Sequence, residues 1–345
     1  MTIAPIQGPL TPQVTIPVTP VRPVIPVTPP AAPSIEINSG QIQAQIIAKT
    51  AQEAAGRQGG LAPLVADLTQ AVRNPMLPGP VRSAAAQVLA QSRPAGGPIA
   101  AADLAKGLAQ SGLFLEARLA SEPRVSPRGQ DLKAELLVLR QALAAWLAGA
   151  PRASTRTPGR TPPPPYRGAG AFTQPSAVPS LPADATPSTI GQRLLAETEA
   201  AVARQELLQI ASLPAGADEP LETQLVTRWM FEMPFTTPQG AAVAQFEIGR
   251  DRRGVSAGED AAWRIAFSLD IEPLGPIHAR ISLRGTQATV GLWAERDAAL
   301  ARLREDKDAL AEALGRAQLS AEIAIQAGAP PVRAPEAGRL VDQTS

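Results

Sequence analysis

What most constrains this chain is a change of patterning about two-thirds of the way along. Up to about residue 220 the sequence is dominated by Pro, Ala and polar residues. From Trp229 to Ala327 apolar and polar residues alternate, and three of the four tryptophans fall there. Alternation places one face of a strand on a core and the other toward solvent, because successive side chains point to opposite sides. A compact, strand-rich domain is therefore expected behind a weakly folding leader. Aromatics make up only 3% of the 345 residues and prolines number 37, which argues against one large core, since aromatic side chains bury the most area per residue.

Along the leader, ten prolines lie within residues 1–33, spaced by Val, Ile and Thr, with no charge before Arg22. Proline fixes φ and lacks an N–H, so residues 1–39 are expected to be disordered and PPII-like rather than helix or strand. Residues 40–149 read as Ala-rich helices cut by Gly and Pro. Leu61, Leu64, Val65, Leu68 and Val72 share one face, and Leu132, Leu136, Leu139, Leu143, Trp146 and Leu147 form the strongest stripe. Asp131 suits the start of that last helix. Residues 150–188 read as a Pro/Gly-rich linker around Pro162–Pro165, and 189–213 as one more helix.

The alternating region, 221–328, is expected to be an α+β domain of order β-β-β-β-β-α-β, a mainly antiparallel sheet with one packed helix. Trp229, Phe231, Met233 and Phe235 start it, Val243–Ile248 return, and Trp263, Ile265, Phe267, Leu269 and Ile271 form the best period-2 run. Ile277, Ala279, Ile281 and Leu283 follow, then Val290, Leu292 and Ala294. A helix over 295–316 carries Leu300, Leu303, Leu310 and Leu314 inward, with opposite-charge pairs Arg302–Asp306, Arg304–Asp308 and Glu312–Arg316 outward. Leu319, Ala321, Ile323 and Ile325 make the last strand, and 329–345 a disordered tail.

Several function classes are excluded or disfavoured. A net charge of +1 gives no field for nucleic acid. The absence of cysteine and the single histidine, His278, remove thiol chemistry and a Cys/His metal site. No apolar run of about 18 residues exists to span a membrane, and the N-terminus lacks the pattern of a cleaved secretory signal. No phosphate-binding or dinucleotide motif occurs. His278 reads as an ordinary strand-face residue, and Asp270 and Glu272 as solvated turn carboxylates. No enzyme, cofactor or metal is expected.

The stretch Leu269-Asp270-Ile271-Glu272-Pro273-Leu274-Gly275-Pro276-Ile277, followed by alternating Ala279, Ile281 and Leu283, resembles the C-terminal domain of the bacterial flagellar hook-length control family. That family has a strand, a Leu-x-Pro-x-x-Leu-Gly-like turn, further strands, a charged helix and a short strand. Here the turn is about one residue shorter. Ser111-Gly112-Leu113-Phe114-Leu115-Glu116 and Trp229-Met230-Phe231-Glu232-Met233-Pro234-Phe235 are similar to stretches of its longer members.

The resemblance implies an exported molecular ruler, cytoplasmic before export and then secreted through the flagellar type III apparatus. Its C-terminal domain would engage the cytoplasmic domain of the export-gate switch protein and change substrate class from rod/hook to filament proteins. Partners would be that domain and, during export, hook and hook-cap subunits; the chain itself is expected to be a monomer. The expected partner-binding residues are Glu272, Pro273, Leu274, Gly275 and Ile277, with Arg302 and Asp306 on the helix. Fully extended, residues 1–215 would reach roughly 650–700 Å, and about half that as helix. The competing reading is a binding or scaffolding module that is never exported, which requires the helices of 40–149 to form a stable bundle.

Overall fold

The structure, a computed structural model, describes residues 39–97, 99–121, 129–149, 161–214, 224–252 and 261–331. The expectations for 1–38 and 332–345 fall outside the described residues. The chain divides between Gln43 and Ala44, and of the first unit only the start of helix α1 (Ser39–Arg57) is described.

In the second unit the apolar stripes read from the sequence become one helical core. Helices α2 (Leu61–Ala71), α3 (Gly79–Leu89) and α6 (Leu132–Trp146) bury Leu61, Leu64, Leu68, Val88, Leu136, Leu139 and Leu143 together. Asp131 caps α6, accepting from Ala134 N at 3.0 Å, which satisfies one of the free amides of the first turn. Two short helices, α4 (Ala101–Ala109) and α5 (Leu115–Ser121), lie either side of the Ser111-Gly112 interruption. Helix α7 (Pro187–Ser212) starts at Thr186, whose hydroxyl accepts from Thr189 N. It is buried on most sides, because α2 and α6 pack on it and strand β2 lies behind it.

Among the described residues the sheet has seven strands in sequence order. After the two-residue β1 (Arg93–Pro94) come β2 (Val226–Thr237), β3 (Gly240–Asp251), β4 (Ala262–Ile271), β5 (Gly275–Arg284) and β6 (Gln287–Ala294), paired antiparallel from β2 to β6. Strand β7 (Ser320–Ala327) runs parallel to β6, because the intervening helices return the chain to its starting side. The expected order β-β-β-β-β-α-β is present, with β1 added at the edge. The expected single helix is two, α8 (Asp297–Glu305) and α9 (Lys307–Arg316), broken at Asp306 where ψ is 2°. Arg302 Nε reaches Asp306 Oδ2 at 2.9 Å and Arg316 lies 3.8 Å from Glu312.

Alternation sorts the two faces of the sheet. One is apolar and carries an aromatic row across three strands, Phe231 on Phe246 at 4.9 Å and Phe246 on Phe267 at 5.6 Å between ring centroids, a cross-strand arrangement that fixes register. The opposite face carries Glu232, Gln245, Ser268 and His278 in one registered row, all buried.

What buries that row is residues 161–186, which composition marks as the rear of a linker and which run as a strap over the sheet and helices. Its prolines and glycines build no ladder of their own, so its backbone groups are taken up by buried side chains. Gln58 donates to Pro162 O at 2.6 Å, Ser268 to Ala171 O at 2.8 Å, and Gln70 to Leu181 O at 3.0 Å. Gln245 accepts from Phe172 N at 2.7 Å and Asp67 from Ser180 N at 2.6 Å. Ala177 pairs with Ala241 in a single antiparallel bridge. Gly240 permits this approach, since a Cβ there would stand 2.0 Å from Ala177 O.

One ion pair joins strap, helix and sheet. Arg204 of α7 and Glu232 of β2 are each 1% exposed, with Arg204 Nε 2.6 Å from Glu232 Oε1. Arg204 also donates to Gln58 Oε1 and to Pro163 O, and Gln174 of the strap donates to Glu232 Oε1. Removing one member of such a pair leaves a buried, uncompensated charge, which costs about 3–5 kcal/mol. Arg204→Ala should therefore lower unfolding free energy by about that amount in urea titration, and Arg204→Met with Glu232→Leu by much less.

A second buried cluster gives a pH signature. Arg193 Nε lies 3.1 Å from both Asp67 Oδ2 and Glu197 Oε1. Burial, and then the Asp67 charge, push Glu197 up from 4.5 to about 8. Folded Glu197 thus keeps a proton that the unfolded chain releases. Its stabilisation is complete below about pH 4.5 and is lost as pH rises to about 8. Across that window wild-type stability should fall more steeply than that of Glu197→Gln, read from urea midpoints at each pH.

Candidate recognition site

The β4–β5 connection is a three-residue loop, because Ile271 pairs directly with Gly275. It is Glu272-Pro273-Leu274, with a cis Glu272–Pro273 bond and Gly275 at φ 73°, a left-handed conformation that glycine adopts without strain. Arg296, at the junction of β6 and α8, closes the loop from outside. Its Nη1 and Nη2 each lie 2.7 Å from a Glu272 carboxylate oxygen, and Nη1 reaches Pro273 O at 3.0 Å. This is a bidentate fork, the geometry that suits guanidinium to carboxylate. A Cβ on Gly275 would meet Arg296 Nε at 2.4 Å, so the glycine serves the clamp as well as the turn.

Electrostatics follow from that clamp. The hydrogen bond from Arg296 holds the Glu272 carboxyl below its usual range, and Glu272 holds the Arg296 guanidinium up. Asp270 moves the other way: burial, then the Glu272 charge, raises it. It is half-buried, with Oδ1 accepting no hydrogen bond among the described residues, so it is not the solvated turn carboxylate expected for it.

The structure gathers five of the sequence-derived residues and separates two. Glu272 and Pro273 are exposed at the loop. Leu274 folds back with Ile277 onto Ala294, Ala299, Leu300, Leu303 and Ile325, so the apolar tip anchors the loop to α8. Arg302 and Asp306 lie on the outer side of α8, paired with each other.

Sequence reasoning missed Arg296, 24 residues from its partner, for which no local motif exists. It also misread His278, which is 5% exposed. His278 Nδ1 is 2.8 Å from Ser268 Oγ and its Nε2 is 3.1 Å from Glu295 Oε1. This Ser–His–Glu row is not laid out for nucleophilic attack, since Ser268 is 1% exposed and its hydroxyl donates to Ala171 O. Beside it, between strap residues Gly168 and Gly170 and the small side of β3–β7 (Gly249, Ala266, Gly291, Ala324), runs a groove of about 420 Å³. No helix among the described residues is long and apolar enough to cross a membrane.

The fold and its loop define an α+β domain that presents a clamped, partly exposed turn beside a charged helix. Residues 251–333 match the family model described as flagellar hook-length control protein FliK. The match begins at the last residue of β3 and takes in β4–β7, α8, α9 and the whole clamped loop, in agreement with the resemblance carried by Leu269–Ile277. No curated protein and no solved structure matches this chain.

Replacing the clamp with Arg296→Gln should return Glu272 upward to an ordinary carboxylate titration. Carboxyl NMR over an acid pH series reads this directly; an unchanged Glu272 would mean that the fork is not formed in solution.

Proposed function

We propose that this protein controls flagellar hook length. In this reading it is held in the cytoplasm and then exported through the flagellar type III apparatus, sampling hook length with its N-terminal part. Its C-terminal domain meets the cytoplasmic domain of the export-gate switch protein and changes export from rod/hook to filament substrates. The observation that carries the reading is the family match over residues 251–333, with the clamped loop inside it. No step of this role needs bond-making chemistry, so the protein acts as a non-enzymatic binder that passes hook and hook-cap subunits during export. The recognition surface is exposed Glu272 and Pro273, supported from beneath by Leu274, Gly275 and Ile277, with Arg302 and Asp306 a separate exposed pair on the helix. Exposed Glu272 and Pro273 supply contact, while Leu274 and Arg296 fix their geometry.

One observation favours a second reading, a binding module that is not exported. Helices α2, α3 and α6 share a buried core with α7 and with Ala241 and Val243 of β3, a packing that supports the bundle of residues 40–149 this reading requires. An exported chain would have to open that core before passage. The absence of cysteine and the Ala-rich composition of the helices keep that opening free of covalent cross-links and limit the area each helix buries.

Deleting the gene and measuring hooks by electron microscopy separates the two. Overlong hooks without filaments are expected for the hook-length controller. Hooks of normal length bearing filaments would discard it in favour of the binding module.

A further inference from the structure

The hydrogen-bond row Ala171–Ser268–His278–Glu295 contains more acceptors than a neutral imidazole can serve. Ser268 has one hydroxyl proton, and it is directed to Ala171 O at 2.8 Å. The Ser268 oxygen must then accept from His278 Nδ1, 2.8 Å away. On the other side of the ring, Nε2 faces a Glu295 carboxylate oxygen at 3.1 Å, and a carboxylate only accepts. The observed row therefore holds one proton more than a neutral imidazole beside a carboxylate. If that proton leaves, one contact must be lost. Either Ser268 turns its hydroxyl to Nδ1 and drops the Ala171 carbonyl, or Nε2 confronts Glu295 with two lone pairs and Glu295 moves off.

We infer that His278 is a protonation-controlled latch, holding the strap at Ala171 and the loop-side residue Glu295 together only when doubly protonated. In the neutral ring the two ends compete for one N–H. The bond to the carboxylate is the stronger, so the strap is the end released. Strap residues Gly168 and Gly170 wall the groove on the same sheet face, and release there opens it. Glu295 immediately precedes Arg296, the clamp on Glu272 and Pro273, so the latch joins strap and recognition loop. As regulation of that loop the inference rests on the proposed function; as a proton-driven change in the strap it does not.

The charged groups sharing this sheet face include Glu232 on β2, Glu247 on β3, Asp270 on β4 and Arg280 on β5, with Glu295 just beyond β6, while Glu272 and Arg296 act on Asp270 from the clamp. The strap carries no ionisable side chain from Gly168 to Gln174. Among these groups Glu295 is the one hydrogen-bonded to the ring. It is 40% exposed, so it can be changed without opening the core.

Hydrogen exchange on the full chain tests the latch, read as protection factors for amides 169–172 at about pH 5.5 and about pH 8, where imidazole changes charge. Loss of one neutral hydrogen bond corresponds to about fivefold, and wild-type protection should fall by about that factor as pH rises. Glu295→Gln should lose about fivefold less protection than wild type over this range, because the Glu197 contribution is common to both and its amide can donate to the Nε2 lone pair of the neutral ring while Nδ1–H serves Ser268. Ser268→Ala should be poorly protected at both. A wild-type strap that does not respond, or a Glu295→Gln strap that falls equally, overturns the latch. No partner is used, so a failed export-gate reading would leave this result intact.

Discussion

The ion pair of Arg204 with Glu232 is the buried point at which strap, helix and sheet of the second unit meet. It is formed out of solvent, where charges are costly unless paired and further hydrogen-bonded. The extra bonds come from Gln58 just beyond α1 and from Pro163 and Gln174 of the strap, so that with α7 and β2 four segments meet at the pair. Each of those segments is short of partners by itself. The strap has few backbone donors, α7 is Ala-rich, and β2 needs a cover on its polar side. The pair supplies a common fixed point, and the apolar packing of Leu208 and Ala211 on Met230 fills the space beside it.

That arrangement explains how one sheet serves two purposes. Its β2–β3 side is the floor of the helical core, through Ala241 and Val243. Its β4–β7 side, the part matched by the family model, carries α8 and the clamped loop. Both sides belong to one hydrogen-bonded sheet, so the polar row from Glu232 to His278 is also a line of connection between helical core and loop. The strap lies along that line and takes part of its hydrogen bonding from it, through Glu232, Gln245 and Ser268.

The clamped loop illustrates how a small exposed feature is made rigid. Gly275 supplies a backbone conformation that other residues adopt only with strain. Leu274 anchors the loop to α8, and Arg296 fixes the carboxylate of Glu272 from the solvent side. A loop held at three points offers a partner a surface that needs little further ordering on binding, which lowers the entropic cost of association.

The sequence by itself determined the elements whose signal is local. The period-2 run Trp263–Ile271, the Leu stripe of α6, the break at Ser111-Gly112 and the loop Glu272–Gly275 were all legible, because side-chain direction repeats every two or 3.6 residues and turns have their own residue chemistry. The tertiary structure alone decided the rest. Residues 161–186 carry the composition of a spacer, and they lie on the sheet because Gln58, Asp67, Gln245 and Ser268 meet their backbone from far along the chain. His278 looked like any strand-face residue until Ser268 and Glu295 stood on either side of it. Arg296 became part of the site only when β6 returned beside β5. Hydrogen bonds between residues 10 to 146 positions apart leave no periodic trace in a sequence, so their consequences are read only after the chain has folded.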